Sequence, residues 1–222
     1  MLLLPFVAAV ASTGARWPHL PLLGAWLAGY LLSYYALQAI KTRRPGRFRA
    51  QLLVYAAIAL PLGMIVVVDS PRVAWFAPGY AALLAVNAGY ALARRERALV
   101  NDLASVAQSC LMVPVAAVVA GTGVPEVTGV FLAVLLYLAG TVLYVKTMIR
   151  ERGNPAYRRA SIAYHVLALA AAVWLGPAVA AVFALLLGRA WLLGGRRIAP
   201  KYVGMIEIAA SALLLAAIVV TA

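Results

Sequence analysis

Apolar residues run along this chain in nine blocks, approximately 1–15, 20–40, 51–68, 73–93, 103–121, 127–147, 159–175, 177–193 and 203–221, separated by Pro, Gly and clustered charge. Several approach the roughly 20 residues a helix needs to cross a hydrocarbon core. The first, third and eighth are shorter, which predicts spans that are tilted, partly sheltered or bounded elsewhere. The pattern as a whole predicts an all-α polytopic transmembrane bundle of about nine spans. Connections such as Asp69-Ser70-Pro71-Arg72 and Gly176-Pro177 are short enough to make the helices they join antiparallel neighbours, with no soluble domain appended. Pro61 and Pro114 fall inside blocks and predict kinks or freed backbone carbonyls. The first block lacks the basic n-region and small-residue cleavage site of a signal peptide and reads as a true first helix.

Composition agrees with that class, since hydrophobic residues fill 66% of 222 positions and mean hydropathy is +0.96. Charge adds an orientation. Of 19 Lys and Arg, all but Arg16 and Arg72 fall in Lys41–Arg49, Arg94–Arg97, Lys146–Arg159 and Arg189–Lys201. These are alternate gaps between the blocks, so the basic side reads as cytoplasmic, with the N-terminus inside and Ala222 outside. The net charge of +13 does not point to nucleic acid, because it sits in short loops beside apolar spans. Membrane lipid, particularly anionic lipid, is the expected partner. Cys110, the one cysteine, lies in an apolar block and reads as a small packed residue.

Two basic loops echo each other. Lys41-Thr42 leads to Phe48-Arg49 and Tyr55, and Lys146-Thr147 leads to Tyr157-Arg158 and Tyr164. A weaker echo links Pro78 and Gly89 with Pro177 and Gly188. This predicts two parallel-oriented four-helix repeats, 1–102 and 103–201, with 202–222 as an added helix.

Polar residues within or beside the spans are the candidate chemistry. Glu207 is costly in a bilayer unless it meets a cation, and Arg189 or the basic loops are its expected partners. His165 suits a proton carrier, a ligand or a structural hydrogen-bond donor. Asn87 and Gln108 predict a helix-to-helix hydrogen bond. In Lys146–Pro155, three cations surround one acid before a Gly-Asn-Pro stop, and Lys146, Arg150 and Glu151 are expected to share a helical face. Such a cluster suits phosphate or diphosphate. The expected anion-binding residues are Lys41, Lys146, Arg150, Arg152 and Arg189. Asn101, Asp102, Glu151, Asn154, His165 and Glu207 are expected as polar pocket residues, with Asn101 as a cap and Asp102 suiting the helix dipole of the next span. No metal ligand set is expected, and with His19 placed on the outer side, bis-histidine haem ligation is not supported.

The runs Lys146–Arg158, Glu96–Asp102 and Pro200–Glu207 closely resemble the YwiC-like family of bacterial membrane proteins, and the likeness spans nearly the whole chain. The resemblance implies a bacterial cytoplasmic (inner) membrane and names no reaction. Members carry a His-Gly-Ala-Trp segment ahead of Leu-Pro-Phe, so the resemblance leads one to expect such a segment before Leu4-Pro5-Phe6. A more distant architectural resemblance is to the UbiA prenyltransferases, with nine spans and polar inner loops after spans 2 and 6. Those enzymes hold magnesium and a prenyl diphosphate on Asp-rich motifs, whereas here the first loop has no acid and the second only Glu151. Three functions fit these readings. One is a UbiA-like enzyme or binder of an isoprenoid or lipid with an anionic head. The others are a transporter of an anion or metabolite, and a scaffold without catalysis.

Overall fold

A computed structural model describes residues 2–221. Among them the chain is helical from end to end, with α1 (Leu4–Thr13), α2 (His19–Thr42), α3 (Arg49–Asp69), α4 (Ala77–Leu92), α5 (Leu99–Cys110), α6 (Met112–Ala120), α7 (Thr128–Ile149), α8 (Pro155–Leu175), α9 (Pro177–Leu193) and α10 (Pro200–Thr221). Among the described residues, five segments are long and apolar enough to cross a membrane: His19–Thr42, Pro45–Asp69, Leu99–Ala120, Val124–Ile149 and Pro200–Thr221. Trp174, Val220, Leu60 and Leu167 stand exposed on the helix surfaces. In water such a surface is an aggregation liability, whereas in lipid it is the surface required. The molecule is a helical membrane bundle.

Sequence chemistry explains the boundaries. The third span gains a short 3-10 turn at Pro45–Phe48 and reaches membrane length, so its shortness in sequence is a matter of where its start lies. The fifth block divides at Leu111 into α5 and α6. Pro114 has no N–H to offer the carbonyl of Cys110, and its ring crowds that turn, which breaks the helix where α5 ends. Pro61 sits inside an unbroken α3. Gly176, at φ +128°, occupies a backbone region that L side chains rarely adopt and joins α8 to α9 by one residue, with Pro177 starting the next helix.

Packing divides the chain into two units, one of Ala9–Val127 and the other running from Thr128 onward together with the residues up to Ala8. Packing divides at 127/128 and the sequence echo at 102/103; the one measures contact and the other resemblance. In the first unit α2 packs on α3 and α4, and α4 on α5. In the second, α8 lies between α7 and α9, while α10 packs on α9 and α7. The echoed tyrosines each reach back to the preceding helix. Tyr55 stacks on Tyr35 at 5.7 Å, and the Tyr164 hydroxyl donates to the Leu136 carbonyl at 3.0 Å.

Candidate functional site

The polar residues of the C-terminal unit are organised by α7, which is buried through most of its length. Tyr137, Thr141 and Tyr144 recur at helical spacing and form one stripe, with Gly140 beside Thr141. On one side of this stripe lies Glu207 of α10. Its carboxylate pairs with the Arg189 guanidinium of α9 and accepts from Thr141 Oγ1 at 2.8 Å and from the Tyr137 hydroxyl at 3.2 Å. The Tyr137 oxygen also lies 2.8 Å from Ser211 Oγ. Arg189 stacks over the Tyr144 ring at 4.0 Å, a cation–π contact that holds the guanidinium beside α7. The expected pairing of Glu207 with Arg189 is what the structure shows. Below it, Tyr144, Met148, Ala190 and Val203 close an apolar cluster.

On the other side of the stripe lies α8. His165 Nδ1 is 2.7 Å from the Ser161 carbonyl, so this nitrogen carries the proton and donates. A Cβ at Gly140 would stand 3.2 Å from His165 Nε2, so the glycine is what lets the imidazole approach α7. His165 Nε2, Ser161 Oγ, the Tyr144 hydroxyl, and Arg189 Nε and Nη2 are all buried and find no partner within the protein. Leaving one such group unsatisfied costs about 1–3 kcal/mol.

A cleft of about 610 Å³ opens where the two basic connections of this unit meet, lined by Thr147, Glu151, Asn154, Arg158, Trp191 and Arg196 among others. Three local features build it. Asn154 Oδ1 accepts from the backbone N–H groups of Ala156 and Tyr157 at 3.1 and 3.2 Å and so caps α8. Its amide nitrogen donates to Glu151 Oε2 at 3.0 Å. Arg158 Nη2 donates to the Trp191 carbonyl at 3.0 Å and ties the start of α8 to the end of α9.

The sequence-derived residues separate accordingly. Glu151 and Asn154 line the cleft, and Arg189, Glu207 and His165 belong to the buried cluster. Lys146 is buried on α7, Arg150 is exposed at its end, and Arg152 donates to the Met148 carbonyl through Nε at 2.9 Å and Nη2 at 2.6 Å. Glu151 does not share a helical face with Lys146 and Arg150, because α7 ends at Ile149 and the chain turns toward Asn154. In the other unit, Lys41 Nζ pairs with Glu96 at 2.7 Å, and that hydrogen-bonded ammonium holds the Glu96 carboxyl below its usual range. Asn101 is not a cap. Helix α5 starts at Leu99, so Asn101 is already in its first turn and donates instead to the Glu96 carbonyl at 2.8 Å; Asp102 is in that turn too. Asn87 and Gln108 make their expected bond at 3.0 Å. Arg158, Arg196, Tyr137, Thr141, Tyr144 and Ser211 are functional candidates the sequence reading did not name. Their signal was present as hydroxyls at helical spacing on α7 and as arginines inside two basic clusters.

Long apolar helices, basic connections and a charge pair held between helices define a polytopic helical membrane protein. Compared with known proteins, residues 1–117 match the family model described as YwiC-like protein. The chain is 32% identical to an uncharacterised protein YwiC of Bacillus subtilis over 97% of this chain and 91% of that one. It is 30% identical to an uncharacterised protein of Haemophilus influenzae over 96% of this chain and 90% of that one. The chain belongs to the YwiC-like family. No solved structure matches it.

Proposed function

We propose that the protein binds an anionic amphiphile, a lipid or isoprenoid bearing a phosphate-type headgroup, in the cleft of the C-terminal unit. The observation that carries this reading is the mixed wall of the cleft. Arg158, Arg196 and Asn154 offer charge and hydrogen-bond donors, while Trp191 and Leu192 are 65% and 62% exposed and present apolar surface to lipid. A headgroup takes the first wall and a chain follows the second. The volume suits a headgroup rather than a whole lipid. In this reading Arg158 and Arg196, which line the cleft, replace Lys41 and Arg152, which do not, and Arg150 and Lys146 contribute field rather than contact.

Two further expectations belong to the same proposal: that the basic loops face the cytoplasm of a bacterial inner membrane, and that the helices follow a UbiA-like plan of two repeats plus one. Binding on arginines in place of aspartate-held magnesium is consistent with the acid-poor loops. The transport alternative gains one observation, the charged pair between helices, and the scaffold reading gains none.

The test is lipid extraction and mass spectrometry of detergent-purified protein, comparing wild type with Arg158→Gln, Arg196→Gln and the control Arg49→Gln. Loss of copurified anionic lipid in the first two alone is the expected result. Equal lipid content in all four proteins overturns the proposal.

A further inference from the structure

Each helix that lines the cleft carries its polar face farther inward than the cleft itself. On α8, Arg158 lines the cleft, and Ser161 and His165 follow at three and seven residues, on one face of the helix. On α7, Thr147 lines the cleft, Tyr144 lies three residues before it, and Thr141 three before that. On α9, Leu192 lines the cleft and Arg189 lies three residues before it, on the same side of the helix. Buried polar atoms without a protein partner gather along this line, while Gln51 Oε1, the Tyr80 hydroxyl and Asn101 Oδ1 lie in the other unit. Ser161 Oγ, His165 Nε2, the Tyr144 hydroxyl and two nitrogens of Arg189 all belong to these inward continuations. They end at Glu207, which Thr141 and Arg189 both contact.

We propose that the cleft continues between α7, α8 and α9 as a narrow hydrated path that connects the medium at the basic-loop end with Glu207. Water satisfies donors and acceptors alike, which matches a set containing guanidinium N–H groups, two hydroxyls and an imidazole lone pair. An apolar tail satisfies none of them. The groups facing Glu207 are Tyr137, Thr141 and Tyr144 from α7, Arg189 from α9 and Ser211 on α10 itself, so the path ends among one cation and a ring of hydroxyls. Gly140 is the narrow point, since a Cβ there would press on His165 Nε2 and on the Tyr164 ring, each at 3.2 Å. This goes beyond headgroup binding and does not require it.

Single cysteines placed in a Cys110→Ala background test the path in sealed membrane vesicles with 2-aminoethyl methanethiosulfonate. That reagent attacks thiolates, and thiols ionise in water far more readily than in lipid. Thr147→Cys reports the cleft, Ser161→Cys the path, Thr141→Cys its end and Leu167→Cys the lipid-facing surface, where Leu167 is 70% exposed. The expected result is reaction of the first three faster than Leu167→Cys by more than about tenfold. Adding Gly140→Leu should slow Thr141→Cys while leaving Thr147→Cys unchanged. If Ser161→Cys and Thr141→Cys react no faster than Leu167→Cys, the path is overturned, whether or not Thr147→Cys reacts. Lipid content of the Arg196→Gln protein reports the cleft proposal separately, so failure of one is distinguishable from failure of the other.

Discussion

Two ion pairs in this molecule join the same kinds of groups under opposite conditions. Lys41 and Glu96, in the unit of Ala9–Val127, leave 41% and 31% of their side chains exposed, whereas Arg189 and Glu207 leave 8% and 15%. The exposed pair joins the last turn of α2 to the connection between α4 and α5. The buried pair is stacked on Tyr144, accepts from Tyr137 and Thr141, and lies between three helices. An exposed pair contributes about 0–1 kcal/mol and is screened by salt. Removing one member of a buried pair costs about 3–5 kcal/mol, even though the intact pair is often no more stable than a hydrophobic replacement. The difference teaches that the first pair is a local fastener and the second a commitment: once buried, neither charge tolerates the loss of the other.

The largest expected effect therefore comes from Glu207→Ala or Arg189→Ala, each about 3–5 kcal/mol less stable as an orphaned charge. Unfolding of the purified protein, followed by thermal aggregation or denaturant titration, should show this loss. The double variant Arg189→Met with Glu207→Met should recover most of it. If the single variants lose no more than the double, the pair is not coupled and the contrast fails.

A smaller effect is expected from Gly140→Ala, about 1–3 kcal/mol, because the new methyl overpacks His165 and Tyr164. His165→Ala in the same protein should relieve part of that loss in a thermal-shift measurement, and full additivity would show that the glycine matters for another reason. Tyr137→Phe removes a hydroxyl that donates to Glu207 and meets Ser211, with about 1 kcal/mol expected. The matching change Tyr55→Phe leaves the ring stack intact and should be near neutral.

Smallest is the exposed pair itself. Lys41→Ala and Glu96→Ala should each cost under about 1 kcal/mol and should add nearly independently at high salt. The pH dependence has a definite sign. The Glu96 carboxyl is held below its usual range in the folded protein, so its contribution is present above the unfolded value of about 4.3 and is lost as pH falls through the folded one. Wild type should lose a small increment of stability on acidification that Glu96→Gln lacks. An identical acid profile for both proteins would remove the pair from the account.

Much of the architecture was legible because each span is an apolar block bounded by Pro, Gly or charge, and the break at Leu111 was announced by Pro114. The partnership of Glu207 with Arg189 was legible for a related reason: few charges lie within the spans, so few pairings were open. The cleft was not. Arg158 and Arg196 look like any members of two basic clusters, and only the packing of α8 against α9 distinguishes them from Arg150 or Arg197. Nor was the pairing of Lys41 with Glu96 readable, since it joins the last turn of α2 to a connection far away in sequence. Tyr137, Thr141 and Tyr144 occupied an intermediate position. Their spacing was visible, but hydroxyls inside an apolar helix gain meaning only once the helix is known to be buried nearly all round.

The division of one charge pair between α9 and α10 also constrains how the protein is made. Placing a lone Arg or Asp at the centre of a membrane helix costs about 2.5–3.5 kcal/mol during insertion, with a comparable cost expected for Glu. Helix α9 is short for a span and carries Arg189, and α10 brings Glu207 only after a further connection has been translated. The arginine thus leaves the ribosome before its counterion exists. The two helices are expected to enter the bilayer as a hairpin rather than in sequence, with α9 waiting at the insertion site until synthesis passes Glu207. A chain stopped short of that residue should strand its penultimate helix and be cleared as an insertion failure.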